Sequence, residues 1–246
     1  MIWLKVAVDG RTEPLNFLLD SGAGASVVDL SSARRIGLKL GERQAALGVD
    51  GRAVAYRVNG FSAHVQGAGV SLGSSPLALD LSGPSRFCSR HIDGLIGMDF
   101  FREHIVRIDF STQTICLLRR DELILAGCEI VPLAGRNDTL CARISVDGNA
   151  PEWLRLDTGC DGALEWVVTG GKARKFGITT VGLNSASVRD IQTEVQWGTL
   201  HLHAIKTGLH PRPMFAGEAG LIGNGMLSRF VVTIDAAQRR CLLANR

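Results

Sequence analysis

The chain has 246 residues, of which 46% are hydrophobic and 21% charged, with a formal net charge of +3. This composition is that of a globular, soluble protein with one large or two ordinary domains. No apolar run is long enough to span a membrane, and the densest basic cluster, at residues 172–175, is interpreted as a solvated face rather than a nucleic-acid site.

The first predicted elements are two short strands. Val6-Ala7-Val8 leads into Asp9-Gly10, which is a hairpin-turn signal, and the next apolar run, residues 17–19, ends on Asp20. A carboxylate at the end of a buried strand is costly unless something uses or satisfies it. The residues that follow, Ser21-Gly22-Ala23, supply a hydroxyl for hydrogen bonding and a glycine that lets the backbone approach a partner.

Further along the first half, the sequence predicts a short helix over residues 31–36 and another over 100–104. Between them a glycine-flanked hairpin tip is predicted at Gly48, Val49, Asp50 and Gly51. The segment Gly94-Leu95-Ile96-Gly97 follows later in this half.

The second half repeats these features in the same order. Asp-Gly follows alternating apolar residues again at 147–148, and an apolar run leads to Asp157-Thr158-Gly159-Cys160. Gly-Leu-Ile-Gly returns at 220–223, and an aspartate follows the last glycine at the same distance in each half, at Asp109 and Asp235. These two acids are interpreted as turn formers. The chain is therefore predicted to hold two copies of one unit, at 1–120 and 126–246.

The segments are short, rich in strand formers and broken by glycine, which predicts an all-β fold. In the second copy, a short helix is predicted over 170–176, and the hairpin matching residues 48–51 is placed at 183–188. Two acids placed alike in two copies predict a pair of carboxylates, Asp20 and Asp157, that face each other.

The sequence resembles the aspartic proteases, specifically a bacterial-type, retropepsin-like domain duplicated in tandem. Asp-Ser-Gly-Ala at 20–23 and Asp-Thr-Gly-Cys at 157–160 are similar to the family's Asp-Thr/Ser-Gly signature. Leu-Ile-Gly at 95–97 and 221–223 is similar to its hydrophobic-hydrophobic-glycine motif. The resemblance covers nearly the whole chain.

The resemblance implies two pseudo-symmetric, retropepsin-like β-barrel lobes in a pepsin-like bilobed arrangement, with few short helices and a cleft between the lobes. Asp20 and Asp157 would be the catalytic acids, sharing one proton as such paired acids do in the aspartic proteases. A sheet of chain termini would join the lobes, with residues 1–8, 116–119 and 241–243 as candidates. Residues implied to support the catalytic loops are Ser21, Gly22, Thr158, Gly159, Leu95, Ile96, Gly97, Leu221, Ile222 and Gly223.

The expected activity is that of an aspartic endopeptidase. Its partner would be an extended peptide or protein bound beneath a flap at Gly48, Val49, Asp50 and Gly51, and a single chain would be active as a monomer. No cofactor or metal is expected: His201 and His203 share a strand face, but no third ligand has a supporting spacing.

Two questions stay open at this level. Arg155 interrupts the apolar run before Asp157, and Cys160 stands where a smaller residue is common, so a second hypothesis is a retropepsin-fold peptide-binding module with little or no turnover. The chain begins inside its first predicted strand, which indicates a lost strand or a trimmed sequence. The compartment is therefore left open, although no signal or transmembrane segment is recognised.

Overall fold

The structure, a computed structural model, describes residues 1–48, 51–72, 76–168, 178–181, 184–187 and 189–246. Strands of the first half are β1 (Trp3–Val8), β2 (Leu15–Leu19), β3 (Val27–Asp29), β4 (Lys39–Gly48), β5 (Gly51–Asn59), β6 (Ala63–Val65), β7 (Val70–Ser71), β8 (Leu77–Leu79), β9 (Gly94–Ile96), β10 (Ile105–Asp109) and β11 (Thr114–Leu118).

Strands of the second half are β12 (Cys128–Arg136), β13 (Thr139–Val146), β14 (Glu152–Leu156), β15 (Leu164–Val167), β16 (Ile178–Val181), β17 (Asn184–Ser187), β18 (Arg189–Trp197), β19 (Leu200–His210), β20 (Gly220–Ile222), β21 (Phe230–Asp235) and β22 (Arg240–Asn245). The α-helices of the described residues are α1 (Leu30–Arg35), α2 (Ser82–Ser85), α3 (Met98–Glu103) and α4 (Asn224–Leu227). The all-β fold with few short helices is confirmed. The helices predicted at 31–36 and 100–104 exist but begin one and two residues earlier, and the helix predicted at 170–176 lies outside the described residues.

The strands form two large sheets. The N-terminal lobe is a nine-stranded sheet in the order β4-β5-β8-β3-β9-β2-β1-β6-β7. The second sheet has eleven strands in the order β11-β10-β21-β22-β12-β13-β14-β20-β15-β19-β18, and it joins β10 and β11 of the first half to the strands of the C-terminal lobe. An additional pairing of β13 with β18 closes six strands of that lobe into a ring, as in a barrel.

The two acid-bearing strands occupy matching places in the two sheets. β2 lies between β1 and β9, pairing in parallel with β9, and β14 lies between β13 and β20, pairing in parallel with β20. The residues just before the acids, Leu19 and Leu156, oppose Ile96 and Ile222 and are fully buried. The parallel pairing thus brings each Leu-Ile-Gly segment alongside the strand that ends at an acid.

The connection between the lobes differs in part from the expected sheet of chain termini. β11 and β22, which contain residues 116–118 and 241–243, do lie in one sheet, joined through β10 and β21. Residues 1–8 do not take part, so that candidate is wrong. β1 pairs through residues 3–6 with β2 and, on its other edge, through residues 6–8 with β6, so its strand pairing is within the N-terminal sheet.

The hydrophobic core runs through this shared region without interruption. One cluster contains buried residues of both lobes, among them Phe17, Val106, Leu154 and Val232. A smaller cluster of four buried residues in the N-terminal lobe consists of Leu18, Val27, Leu81 and Ile92. Within the described ranges, no helix has the length and hydropathy needed to cross a membrane.

Both predicted Asp-Gly turns connect paired strands. In the C-terminal lobe Asp147 and Gly148 both have positive φ, 49° and 71°, as a tight hairpin turn requires. The predicted tip at 48–51 closes the β4–β5 hairpin, where Gly48 opposes Gly51, although Val49 and Asp50 lie outside the described residues. In the C-terminal lobe, residues 184–187 pair with 178–181, while the ends of the predicted segment, 183 and 188, also lie outside them.

Candidate active site

Each of the two acids is held by its own loop. The backbone N–H of Asp20 donates to the carbonyl of Ile96, and that of Asp157 to the carbonyl of Ile222, both at 2.9 Å. Oδ1 of Asp20 accepts the N–H groups of Gly22 and Ala23 at 2.9 and 3.0 Å. Oδ1 of Asp157 accepts the two equivalent N–H groups, of residues 159 and 160, at 2.9 and 3.1 Å. One oxygen of each carboxyl group is thereby fixed by the turn that follows the strand.

The two loops interlock through their hydroxyl residues, Ser21 and Thr158, which are both fully buried. Ser21 Oγ donates to the carbonyl of Leu156 and Thr158 Oγ1 donates to the carbonyl of Leu19, both at 2.8 Å. The backbone N–H of Ser21 donates to Thr158 Oγ1 at 2.9 Å, and that of Thr158 donates to Ser21 Oγ at 3.1 Å. Four reciprocal hydrogen bonds therefore lock the loops together across an approximate twofold axis.

The glycines that follow the hydroxyl residues bring each loop against the opposite acid. A Cβ atom added to Gly22 would lie 2.5 Å from Cγ of Asp157, and one added to Gly159 would lie 2.6 Å from Cγ of Asp20. Such distances are far below van der Waals contact. Glycine is required at both positions because the opposite carboxyl group occupies the space.

The carboxyl groups of Asp20 and Asp157 are half-buried and approach each other between the loops. Gly22, whose N–H binds Asp20, packs against Asp157, and Gly159, whose N–H binds Asp157, packs against Asp20. Burial raises the pKa of Asp20 well above its ordinary value, and the negative charge of Asp157 raises it further. Burial also raises the pKa of Asp157, while the positive charge of Arg155 opposes that rise. Two acids in this position hold a proton at a pH where an exposed aspartate would have lost it.

The two Leu-Ile-Gly segments lie behind the acid loops. A Cβ on Gly97 would meet the backbone carbonyl of Ala25 at 2.4 Å, and one on Gly223 would meet the carbonyl oxygen of Gly162 at 2.3 Å. In each lobe the strand and the loop therefore pack backbone against backbone. The structure brings together the four loop residues 21–22 and 158–159, the two acids and both segments, 95–97 and 221–223.

Three further residues, to which the sequence assigned no role in the site, support the acid loops or the strands behind them. Asp99 accepts the N–H and hydroxyl of Ser26 at 2.9 and 2.7 Å, and Asn224 Nδ2 donates to the carbonyl of Thr158 at 2.7 Å. Glu218 forms a buried ion pair with Arg155, whose Nε lies 2.7 Å from its Oε2. Matching the acid motifs and the Leu-Ile-Gly segments of the two halves would have indicated this last pair, because Arg155 and Glu218 then stand opposite Leu18 and Ile92.

The other acids and histidines considered from the sequence lie elsewhere. Asp109 Oδ1 accepts the N–H of Ser111 at 2.9 Å, and Asp235 Oδ1 accepts that of Gln238 at 3.1 Å, so both act as turn acids as predicted. His203 hydrogen-bonds Glu194. In the part of the chain that the structure describes, no group of three or more His, Cys, Asp or Glu side chains is arranged to hold a metal ion.

Comparison with known families agrees with this geometry. Residues 4–100 match the family described as aspartyl protease, a stretch that contains Asp20, the β4–β5 hairpin and the Leu-Ile-Gly segment at 95–97. This part of the chain is therefore supported as an aspartic protease domain. No match was found among the curated proteins.

Proposed function

We propose that the protein is a duplicated, retropepsin-like aspartic endopeptidase in which Asp20 and Asp157 form the catalytic dyad, with repeats at 1–120 and 126–246. The observation that carries the proposal is the close approach of two half-buried carboxyl groups, one from each half of the chain, each packed against the glycine of the opposite loop. Their loops interlock through the same reciprocal hydrogen bonds and rest on matching parallel strands. Paired structural turn acids need none of this, because a turn acid is satisfied within its own loop.

The chemistry follows from two like charges in one desolvated site. They cannot both ionise cheaply, so the pair holds one proton and one negative charge at mildly acidic pH. The ionised member removes a proton from water as the water oxygen attacks the peptide carbonyl carbon. The protonated member donates its proton to the carbonyl oxygen, so that the tetrahedral intermediate is a neutral gem-diol. As the C–N bond breaks, the acid that took the proton from water passes it to the departing amine, and a hydroxyl of the gem-diol returns a proton to the other carboxylate. This route has no acyl-enzyme.

The substrate that suits this site is an extended peptide. The β4–β5 hairpin, with its glycine-flanked tip, is proposed as the flap, whose backbone groups would pair with those of the peptide. The direct experiment is incubation with a diverse peptide library across pH, with products identified by mass spectrometry. Cleavage that disappears in Asp20→Asn supports the proposal, whereas binding of peptides without cleavage at any pH would favour the peptide-binding module.

Activity is expected from a single chain, because both acids and both supporting segments are in one polypeptide. Specific activity should therefore stay constant as the enzyme is diluted well below any dimerisation constant found by analytical ultracentrifugation. Specific activity that falls on dilution in step with the dissociation of a dimer would show that a second chain completes the site.

The dependence of kcat/KM on pH is expected to be bell-shaped, because one acid must be protonated and the other ionised. Both pKa values are raised by burial, so the bell should lie at mildly acidic rather than strongly acidic pH. Ala23, whose N–H donates to Asp20, has no side-chain donor to stabilise the charged form further. Ala23→Ser should add one and move the alkaline limb to lower pH.

The measurement is kcat/KM against pH for wild type and Ala23→Ser on one peptide, with Ala23→Val as the control for added side-chain volume. An alkaline limb that stays in place in Ala23→Ser, or moves upward, would show that a donor at this position does not set the pKa of the dyad.

A further inference from the structure

The C-terminal lobe contains a fully buried ion pair next to its acid. Arg155 on β14 and Glu218 just before β20 are 3% and 4% exposed, and they are joined by two hydrogen bonds, at 2.7 and 2.8 Å. The guanidinium carbon of Arg155 also lies over the ring of Phe215, 3.2 Å from its centroid. Asn137 Nδ2 donates to Glu218 Oε1 at 2.6 Å. The pair is therefore completely enclosed and held in one geometry.

The same two places in the N-terminal lobe are apolar. Arg155 lies two residues before its acid and opposes Leu221 on the parallel strand, just as Leu18 precedes Asp20 and opposes Leu95. Five residues before the last glycine of each Leu-Ile-Gly segment stand Glu218 and Ile92, and Ile92 packs with Leu18 in one buried cluster. Hydrophobic residues generally fill such a site with equal or better stability than an ion pair. A role in the site, rather than in stability, accounts for the charges better.

The pair also extends into the opposite loop. Arg155 Nη1 donates to the backbone carbonyl of Gly22 at 2.9 Å. Gly22 is the residue that packs against the carboxyl group of Asp157, and its N–H binds Asp20. One guanidinium group therefore hydrogen-bonds the loop that carries Asp20 and places a positive charge near Asp157. Leu18 has no group that could make the reciprocal contact.

We propose that Arg155, fixed by Glu218, is a positioning residue that breaks the twofold symmetry of the acid pair: it holds the Asp20 loop through Gly22 and favours the negative charge on Asp157. Asp20 then carries the shared proton and is the member that donates to the substrate carbonyl, while Asp157 is the base toward water. This inference rests on the proposed function, because unequal acids have a catalytic meaning only if the pair is a dyad.

Other charged or titratable groups face the same region, and they do not duplicate this effect. Glu218 is already bound on both its oxygens. The thiols of Cys141 and Cys160 have their pKa values raised by burial, so they stay neutral across the acidic range. Arg136 donates to the carbonyl of Gly217, outside the acid loops. Among the described residues, the N-terminal ammonium pairs with Asp161 beside the second loop, whereas Arg155 donates directly to a backbone carbonyl of the first.

The first test replaces the pair with its apolar counterparts, in Arg155→Leu/Glu218→Ile. This variant should keep the wild-type Tm, because the same residue types already pack at these places in the other lobe. The acidic limb of kcat/KM should move to higher pH by about one unit, since an adjacent cation lowers a carboxyl pKa by that order. We expect kcat to fall while KM changes little, because Arg155 holds the acids and does not touch the substrate.

Arg143→Leu is the matched control, since Arg143 also carries charge beside β14 but binds the carbonyl of Pro151 instead of an acid loop. It should leave both limbs in place. A folded double variant with an unchanged pH profile and unchanged kcat would overturn the proposal.

The second test reads the acids directly and does not depend on turnover. The aspartate carboxyl carbons are labelled with 13C and titrated by NMR, with assignments from Asp20→Asn and Asp157→Asn. In the wild-type protein, Asp157 should ionise at lower pH than Asp20. In Arg155→Leu/Glu218→Ile, the difference between the two ionisation pH values should become smaller or change sign. Ionisation of Asp20 first in the wild type would contradict the proposal. If no peptide is cleaved at any pH, the proposed function fails, while the titration still decides which acid carries the charge.

Discussion

Asp20→Asn and Asp157→Asn are each expected to lower kcat/KM for peptide cleavage by about a thousandfold or more, with the fold intact. Each removes one half of a proton-sharing unit, and acid–base groups of this kind contribute on that scale. Asparagine can still accept the two loop N–H groups through Oδ1, so the loop geometry should survive. Because the acids act together, the double variant should be no slower than either single variant.

Asp20→Asn should also be more stable than wild type at neutral pH. A carboxyl group whose pKa is raised on folding favours the folded state only while it is protonated, and that contribution is lost as pH rises through the raised pKa. At pH 7 the charge on half-buried Asp20 therefore opposes folding, and the amide should raise the free energy of unfolding. The gain should vanish below the ordinary value of 3.8.

The matched control is Asp109→Asn. This turn acid is only partly buried, and its hydrogen bonds to Ser111 lower its pKa to about 2, so its charge favours the folded state at neutral pH. The substitution should leave cleavage unchanged and shift stability at pH 7 in the opposite direction to Asp20→Asn. Thermal unfolding at pH 3 and pH 7 measures both effects. Substantial cleavage by a folded Asp157→Asn would refute the two-acid mechanism.

Gly22→Ala is expected to lower kcat/KM at least about 100-fold, the scale of a misplacement of about 1 Å at a catalytic group. The new Cβ would lie 2.5 Å from Cγ of Asp157, so either that carboxyl group or the interlocked loop must move. Gly159→Ala should act in the same way on Asp20, at 2.6 Å.

Gly135→Ala serves as the control for this pair, because an added Cβ at Gly135 meets no atom within 4 Å. It should leave kcat/KM and Tm unchanged. Steady-state kinetics and thermal unfolding of the three variants distinguish a loss of activity caused at the site from one caused by a loss of protein stability. Wild-type kinetics in Gly22→Ala would mean that the loops do not approach as closely as described.

The sequence determined those features that depend on short-range chemistry. Apolar runs ending on Asp20 and Asp157 predicted buried strands, and Asp-Gly predicted the turns at 9–10 and 147–148, because a turn's backbone angles are set by the residues within it. Self-similarity between the halves then predicted a pair of equivalent acids, and an all-β fold followed from short segments broken by glycine.

Only the tertiary structure decided how distant segments pair. Residues 1–8 are absent from the interlobe sheet because β1 is bonded on both edges within its own lobe, and hydrogen bonding between distant strands leaves no local pattern in the chain. The ion pair is the clearest case. In the sequence, Arg155 is a charged residue that interrupts an apolar run, and nothing marks Glu218 as its partner. The parallel pairing of β14 with β20 brings the two side chains together in a buried site. Burial gives the pair its significance, because a charge that is ordinary in water must be matched when it is enclosed.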